Sequence, residues 1–160
     1  MSTVWPASPA VTRQALQGRP AGLVSRLAAA AIDLLVLLAG GAALYGAVAG
    51  LAFLLNPRSF SWPTGFEWSV PAVAALVGTP YLAISWSASG RTLGDVLFGL
   101  RIGGRDGRLL GPGRSVVRAL LCLAFPIGLV WVPFDRRRRS LQDVLFRTSV
   151  RYDWLPSVRT

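Results

Sequence analysis

Histidine and lysine are absent from this chain of 160 residues, and it holds a single cysteine and a single methionine. Without His, and with Cys122 alone, a His/Cys metal site, haem ligation through imidazole, and Ser-His or Cys-His catalysis are all excluded. One Cys forms no disulfide within the chain, so cysteine usage is silent on compartment. Acids are scarce as well: seven Asp and Glu stand against 17 cationic residues, every one an Arg, for a net charge of +10. A basic balance of this kind serves nucleic acids in many proteins. Here the Arg residues flank apolar runs, which fits membrane topology and anionic headgroups better than a DNA groove.

What is abundant is apolar. Hydrophobic residues make up 52% of the chain and charged ones 15%. From Leu27 to Leu55 the sequence is almost unbroken Ala, Leu, Val and Gly, with Asp33 its only charged residue. About 20 apolar residues cross the hydrocarbon core of a bilayer, so this run reads as a span. As a straight helix it measures about 43 Å against a core of about 30 Å, so it must tilt or bend, with Gly40-Gly41 the natural place. An Asp at the centre of a spanning helix costs roughly 2.5–3.5 kcal/mol to insert, which makes Asp33 a candidate functional residue. Arg26 precedes it by two helical turns and shares its face, at headgroup level. A structural ion pair that locks helices together is the competing reading, and Arg118, then Arg26, are the expected partners of Asp33. Beyond the glycine pair, Ala42, Gly46 and Gly50 recur at the four-residue spacing of membrane helix packing.

A second apolar segment, Val70 to Trp86, is barely long enough to span, and Pro71 and Pro80 predict a kink. Trp62, Trp68 and Trp86 fall where an aromatic belt marks the two interfaces. A third segment, Val116 to Phe134, carries Arg118 near its start and is followed by Asp135 and four Arg in a row, Arg136 to Arg139. The loop at 56–69 has one Arg, whereas the N-terminal arm, the loop at 89–115 and everything after Phe134 are Arg-rich. The positive-inside rule puts all the basic stretches in the cytoplasm only if the third segment enters and returns, breaking at Phe125-Pro-Ile-Gly128. The expected fold is therefore an α-helical membrane protein with two full spans, a third kinked or re-entrant apolar segment and both termini cytoplasmic. Three full spans is the alternative. Residues 1–22, with Pro6, Pro9, Gly18 and Pro20, read as a flexible cytoplasmic arm and not as a signal peptide.

The chain also contains an internal repeat. Arg91-Thr-Leu-Gly-Asp-Val-Leu-Phe98 returns 48 positions later as Arg139-Ser-Leu-Gln-Asp-Val-Leu-Phe146. Thr92-x-x-Asp95 and Ser140-x-x-Asp143 both read as capping boxes with Asp in the place of Glu or Gln. Each copy is expected to form a one- or two-turn helix with Val, Leu and Phe against the membrane. Each then leads into a β-prone stretch, Leu100 to Ile102 and Ser149 to Tyr152, and the two stretches are expected to pair as a small cytoplasmic β element. Capping is the main role expected of Asp95 and Asp143, and Asp143 serves a second role if its other oxygen reaches an Arg.

These pieces together resemble the RDD family of membrane proteins. They comprise Ser25-Arg-Leu with Ile32-Asp33, Ser89-Gly-Arg-Thr-Leu-Gly94 and Gly99-Leu-Arg-Ile102, followed by Arg118, the Asp135–Arg139 stretch, Leu141-Gln-Asp143 and Thr148-Ser-Val150, in that order. The resemblance implies a membrane domain over residues 23–153, followed by a tail at 154–160, with Arg26, Asp33 and Asp143 as the residues that give the family its name. Two positions depart from it: Asp95 stands where Lys is usual and Gln142 where His is usual. A family activity that carried protons on that His would be in doubt here.

Two function classes remain. The first is a non-catalytic accessory or assembly module, packing with other membrane proteins or with itself around a buried network of Arg26, Asp33, Arg118 and Asp143. The alternative is an oligomeric cation- or proton-coupled transporter that uses Asp33. No enzyme, cofactor, metal or nucleic-acid partner is expected; the bilayer, anionic headgroups included, is.

Overall fold

The computed structural model describes residues 15–64, 72, 74–104, 106–125 and 140–154, apart from the Gln142 side chain. Trp68, Pro71, the expected break at 126–128, the Asp135–Arg139 cluster and the tail beyond Trp154 lie outside these residues.

One helix dominates. α1 runs from Leu23 to Leu55 without interruption through Gly40-Gly41. Its many Ala and Leu residues favour helix, and it stops where Asn56 precedes Pro57, since a residue before proline is pushed out of the helical region. At 33 residues it is about 50 Å long, and among the described residues it alone is long and apolar enough to cross a membrane. Its leucines face outward, with Leu35 60% and Leu54 77% exposed. Gly40-Gly41 is a packing site: a Cβ on Gly40 would meet the Val77 side chain at 3.1 Å. A Cβ on Gly46 or Gly50 would meet nothing within 4 Å among the described residues.

The second apolar segment begins its described course as a π-turn, Ala74–Gly78, and continues as α2, Thr79–Ala88. Pro80 lies in the first turn of α2, where its missing N–H costs no helical bond, directly after the widened turn. α4, Pro112–Ala124, packs along α2. It starts with Pro112 in the first turn and ends at Phe125.

Between these helices lie the two repeat copies. α3 (Leu93–Leu97) leads to β1 (Leu100–Gly104), and α5 (Leu141–Leu145) leads to β2 (Thr148–Tyr152). Both helices and both strands keep the 48-residue offset. β1 and β2 pair antiparallel, with Leu100 opposite Tyr152, Ile102 opposite Val150 and Gly104 opposite Thr148. Ile102 and Val150 are equivalent residues of the repeat, so this register relates the two copies by a local two-fold axis through that pair.

Residues 18–21 correct the expected flexible arm. Gly18 and Ala21 donate to the carbonyls of Tyr152 and Val150 at 2.8 and 3.0 Å, and Tyr152 donates back to Arg19 at 3.0 Å. The chain thus enters α1 along the free edge of β2. The core gathers at this end, where Ala29, Trp86, Leu100, Ile102, Ala119 and Val150 are buried together.

Candidate functional site

The two capping boxes form as the spacing requires. The Thr92 hydroxyl accepts from the Asp95 N–H at 3.1 Å and the Asp95 carboxylate accepts from the Thr92 N–H at 3.1 Å. Ser140 and Asp143 repeat the exchange at 3.2 and 3.1 Å. Both acids therefore point inward, and both are buried.

From there the copies diverge. Asp143 is fully buried and takes four donors. Its Oδ2 accepts from Arg26 Nη1 at 2.5 Å and from the Ser140 N–H at 3.1 Å, and its Oδ1 accepts from Arg118 Nη1 at 2.7 Å and from the Thr148 hydroxyl at 3.0 Å. Arg118 also donates to Thr148 Oγ1 at 2.5 Å and lies over the Trp86 indole, its guanidinium carbon 5.0 Å from the ring centre. Burial pushes the Asp143 carboxyl up, but the two guanidiniums outweigh it and hold the group well below the usual carboxylate range. Asp95 has no such partners. Burial raises its carboxyl, the Thr92 N–H pulls it back only in part, and the Asp33 charge adds to the rise.

Asp33 sits on α1 beside the first copy. Its Oδ1 accepts from the Tyr81 hydroxyl at 2.7 Å and the Gly94 N–H at 2.9 Å, and its Oδ2 accepts from the Thr92 hydroxyl at 2.6 Å. Tyr81 in turn accepts from the Leu93 N–H at 3.0 Å. The approach is close because residue 94 is glycine: a Cβ there would fall 2.1 Å from the Ala29 carbonyl oxygen.

The structure thus joins Arg26, Arg118 and Asp143 but corrects the expected pairing of Asp33 with Arg118 or Arg26. Both arginines go to Asp143, and Asp33 is held by neutral donors. Trp86 is also corrected, from the aromatic belt to a buried plate under Arg118, 5% exposed. Tyr81, Gly94 and Thr148 complete the two centres; Gly94 and Thr148 stand in the family motifs, but none of the three was a candidate site residue. Tyr81 carried a signal, as a hydroxyl in an otherwise apolar segment; Thr148, opposite a Leu in the repeat, carried one by that contrast. Among the described residues no three His, Cys, Asp or Glu are grouped to hold a metal ion.

Residues 20–147 match the RDD family. The chain belongs to the RDD family. No curated protein and no solved structure matches it. Family membership and the long apolar helix together place this RDD domain with membrane-associated proteins, and the family's function is unsettled. Both centres lie within the matched region, apart from Thr148, one residue past its end.

Proposed function

We propose that this RDD domain is a non-catalytic membrane module, an accessory or assembly unit, in which α1 holds the two repeat copies together. One observation carries the reading: Asp143 takes four donors and Asp33 three, all from the chain itself. The two acids are engaged in closing the fold. A buried carboxylate paired with two guanidiniums specifies one arrangement of the surrounding elements.

The sheet supports two spans with both termini cytoplasmic. β1 pairs with β2, and residues 18–21 lie on the other edge of β2. All three stretches share one side of the membrane, so the chain crosses an even number of times between each of them. Residues 22–99 supply two apolar segments, one out and one back. Residues 105–147 supply one, which must then return to the side it left. The Arg distribution puts that side in the cytoplasm.

The transporter reading has one observation in its favour, the Asp95 carboxyl raised beside Asp33, a group suited to exchanging a proton. Purified protein in vesicles loaded with a pH-sensitive dye decides between the two. The accessory reading expects no proton movement in response to imposed Na⁺ or K⁺ gradients and recovery of a stoichiometric membrane partner after mild detergent extraction. Gradient-driven proton flux that Asp33→Asn abolishes would overturn it.

A further inference from the structure

α3 and α5 are amphipathic the wrong way round for water. In α3, Leu93, Val96 and Leu97 are exposed while Thr92, Gly94 and Asp95 are buried; Leu97 is 62% exposed. In α5, Leu141, Val144 and Leu145 are exposed while Ser140 and Asp143 are buried; Leu145 is 64% exposed. The local two-fold turns both apolar faces outward together. Neither helix can roll over: the inner face of α3 is held by Asp33, bonded to Thr92 and the Gly94 N–H, and by the close contact at Ala29, and that of α5 by the ion pairs of Asp143 with Arg26 and Arg118.

The depth of these faces follows from α1. α3 meets α1 at Ala29, and α5 is tied to it at Arg26, one turn away. Ala29 lies about 9 Å along α1 from Leu23, and α1 exceeds the hydrocarbon core by about 20 Å. Whichever end carries the excess, the level of Ala29 falls between about 9 Å inside and about 10 Å outside the hydrocarbon boundary. Amphipathic helices lie in this zone, with an apolar face turned to acyl chains.

The copies share one left-handed backbone position but fill it with different residues. After each helix the chain turns through a left-handed residue, Gly99 at φ 61° and its equivalent Arg147 at φ 53°. Gly99 is covered: a Cβ there would fall 2.3 Å from the Trp154 ring. Arg147 is exposed, in a conformation glycine adopts freely and arginine only at a cost. Arg114, also exposed, donates to the Phe146 carbonyl beside it. An apolar face at the hydrocarbon boundary, edged by two exposed guanidiniums, is complementary to an anionic lipid, acyl chains on the leucines and phosphate on the arginines.

We propose that α3 and α5 are paired interfacial anchors in one leaflet, and that the α5 arm selects anionic lipid headgroups through Arg147. The selectivity belongs to the second copy alone, since the first has glycine there under an indole. This holds whether the domain assembles with partners or transports an ion.

The test uses the full chain in nanodiscs of phosphatidylcholine, with and without phosphatidylglycerol. In a Cys122→Ala background, nitroxides are placed one at a time at Leu97, Leu145 and Arg108. Labels at 97 and 145 are expected to collide with oxygen and not with an aqueous nickel chelate, and the label at 108 to do the reverse. Phosphatidylglycerol should deepen the label at 145 and not that at 97, and Arg147→Gly should remove this difference. Hydrogen exchange of the cysteine-unmodified chain gives the same readout without labels: phosphatidylglycerol should slow residues 141–147 several-fold more than 93–99. Nickel access at both 97 and 145 overturns the anchors. Shielding of both from either reagent also does so, in favour of a protein occupant. A phosphatidylglycerol effect that survives Arg147→Gly overturns the lipid selectivity.

Discussion

Arg26 and Asp33 lie two turns apart on α1, and each is bonded to a different copy of the repeat. Arg26 reaches Asp143 of the second copy, and Asp33 reaches Thr92 and the Gly94 N–H of the first. One helix face therefore staples together two halves related by a local two-fold. The staple carries opposite charges at its two ends because the copies need opposite things: the second presents a carboxylate, the first a hydroxyl and backbone N–H groups.

Asp143 and Asp95 share a local sequence, so their variants separate capping from ion pairing. Asp143→Asn leaves Arg26 and Arg118 buried without their anion, and should lower stability by about 3–5 kcal/mol. Asp95→Ala removes a cap but also a buried charge beside Asp33, and should cost no more than about 1 kcal/mol. Thermal unfolding in detergent measures both. The Arg118→Gln, Asp143→Asn double variant should lose less than the sum of the singles, since each single already breaks the pair. Strict additivity would show that the two side chains are not coupled.

Gly94 and Gly46 make a second contrast. Gly94→Ala drives a methyl into the Ala29 carbonyl, and backbone cannot step aside as a side chain would. α3 must part from α1, taking two donors from Asp33, at a cost of about 2 kcal/mol or more. Gly46→Ala meets nothing within 4 Å among the described residues and, in mid-helix, should raise stability by about 0.5–1 kcal/mol. Equal effects on unfolding would rule out the close crossing at Ala29.

Features set by local chemistry were legible in the sequence. The repeat, both capping boxes and the two β-stretches fall where pattern places them, and the seven-residue spacing puts Arg26 and Asp33 on one face. Partner choice was not legible, because it depends on which copy lies beside which turn of α1. Charge alone assigns Arg118 to Asp33; the fold answers Asp33 with Tyr81, Thr92 and a backbone N–H, donors that leave no charge pattern. The edge contacts of residues 18–21 were hidden for a related reason. They are backbone bonds made by a Gly, Arg, Pro, Ala stretch with no strand propensity of its own.

Tyr81 tests the uncharged half of the staple. Its hydroxyl donates to Asp33 and accepts from the Leu93 N–H, so it links α2, α1 and the start of α3. Tyr81→Phe keeps the ring and removes both bonds, and should cost about 1–3 kcal/mol. The loss should be localised: hydrogen exchange at Leu93 to Asp95 rises, while residues 141–147 keep their protection. Uniform loosening of both copies would count against separate centres.

The two acids should pull stability in opposite directions as pH falls. Burial, helped by the Asp33 charge, raises the Asp95 carboxyl, so the folded state binds that proton more tightly than the unfolded chain, whose value is near ~3.9. Ionised Asp95 therefore costs stability at neutral pH, and the cost is relieved as pH falls through its raised value towards about 4. Asp143 behaves inversely. Its carboxyl is held low, so its contribution is complete above about 4 and drains away as pH drops towards its own folded value. Asp153 adds to this acid limb: burial pushes it up, but bonds from Gln17, Arg91 and Arg101 more than offset that. Unfolding temperature followed from pH 8 to pH 3 should rise and then fall. Asp95→Asn should flatten the rise and leave the fall. Asp143→Asn should keep the rise and shrink the fall to the part that Asp153 supplies. A rise that survives Asp95→Asn would mean that another group carries it, and an undiminished fall in Asp143→Asn would mean that the buried ion pair does not contribute to stability.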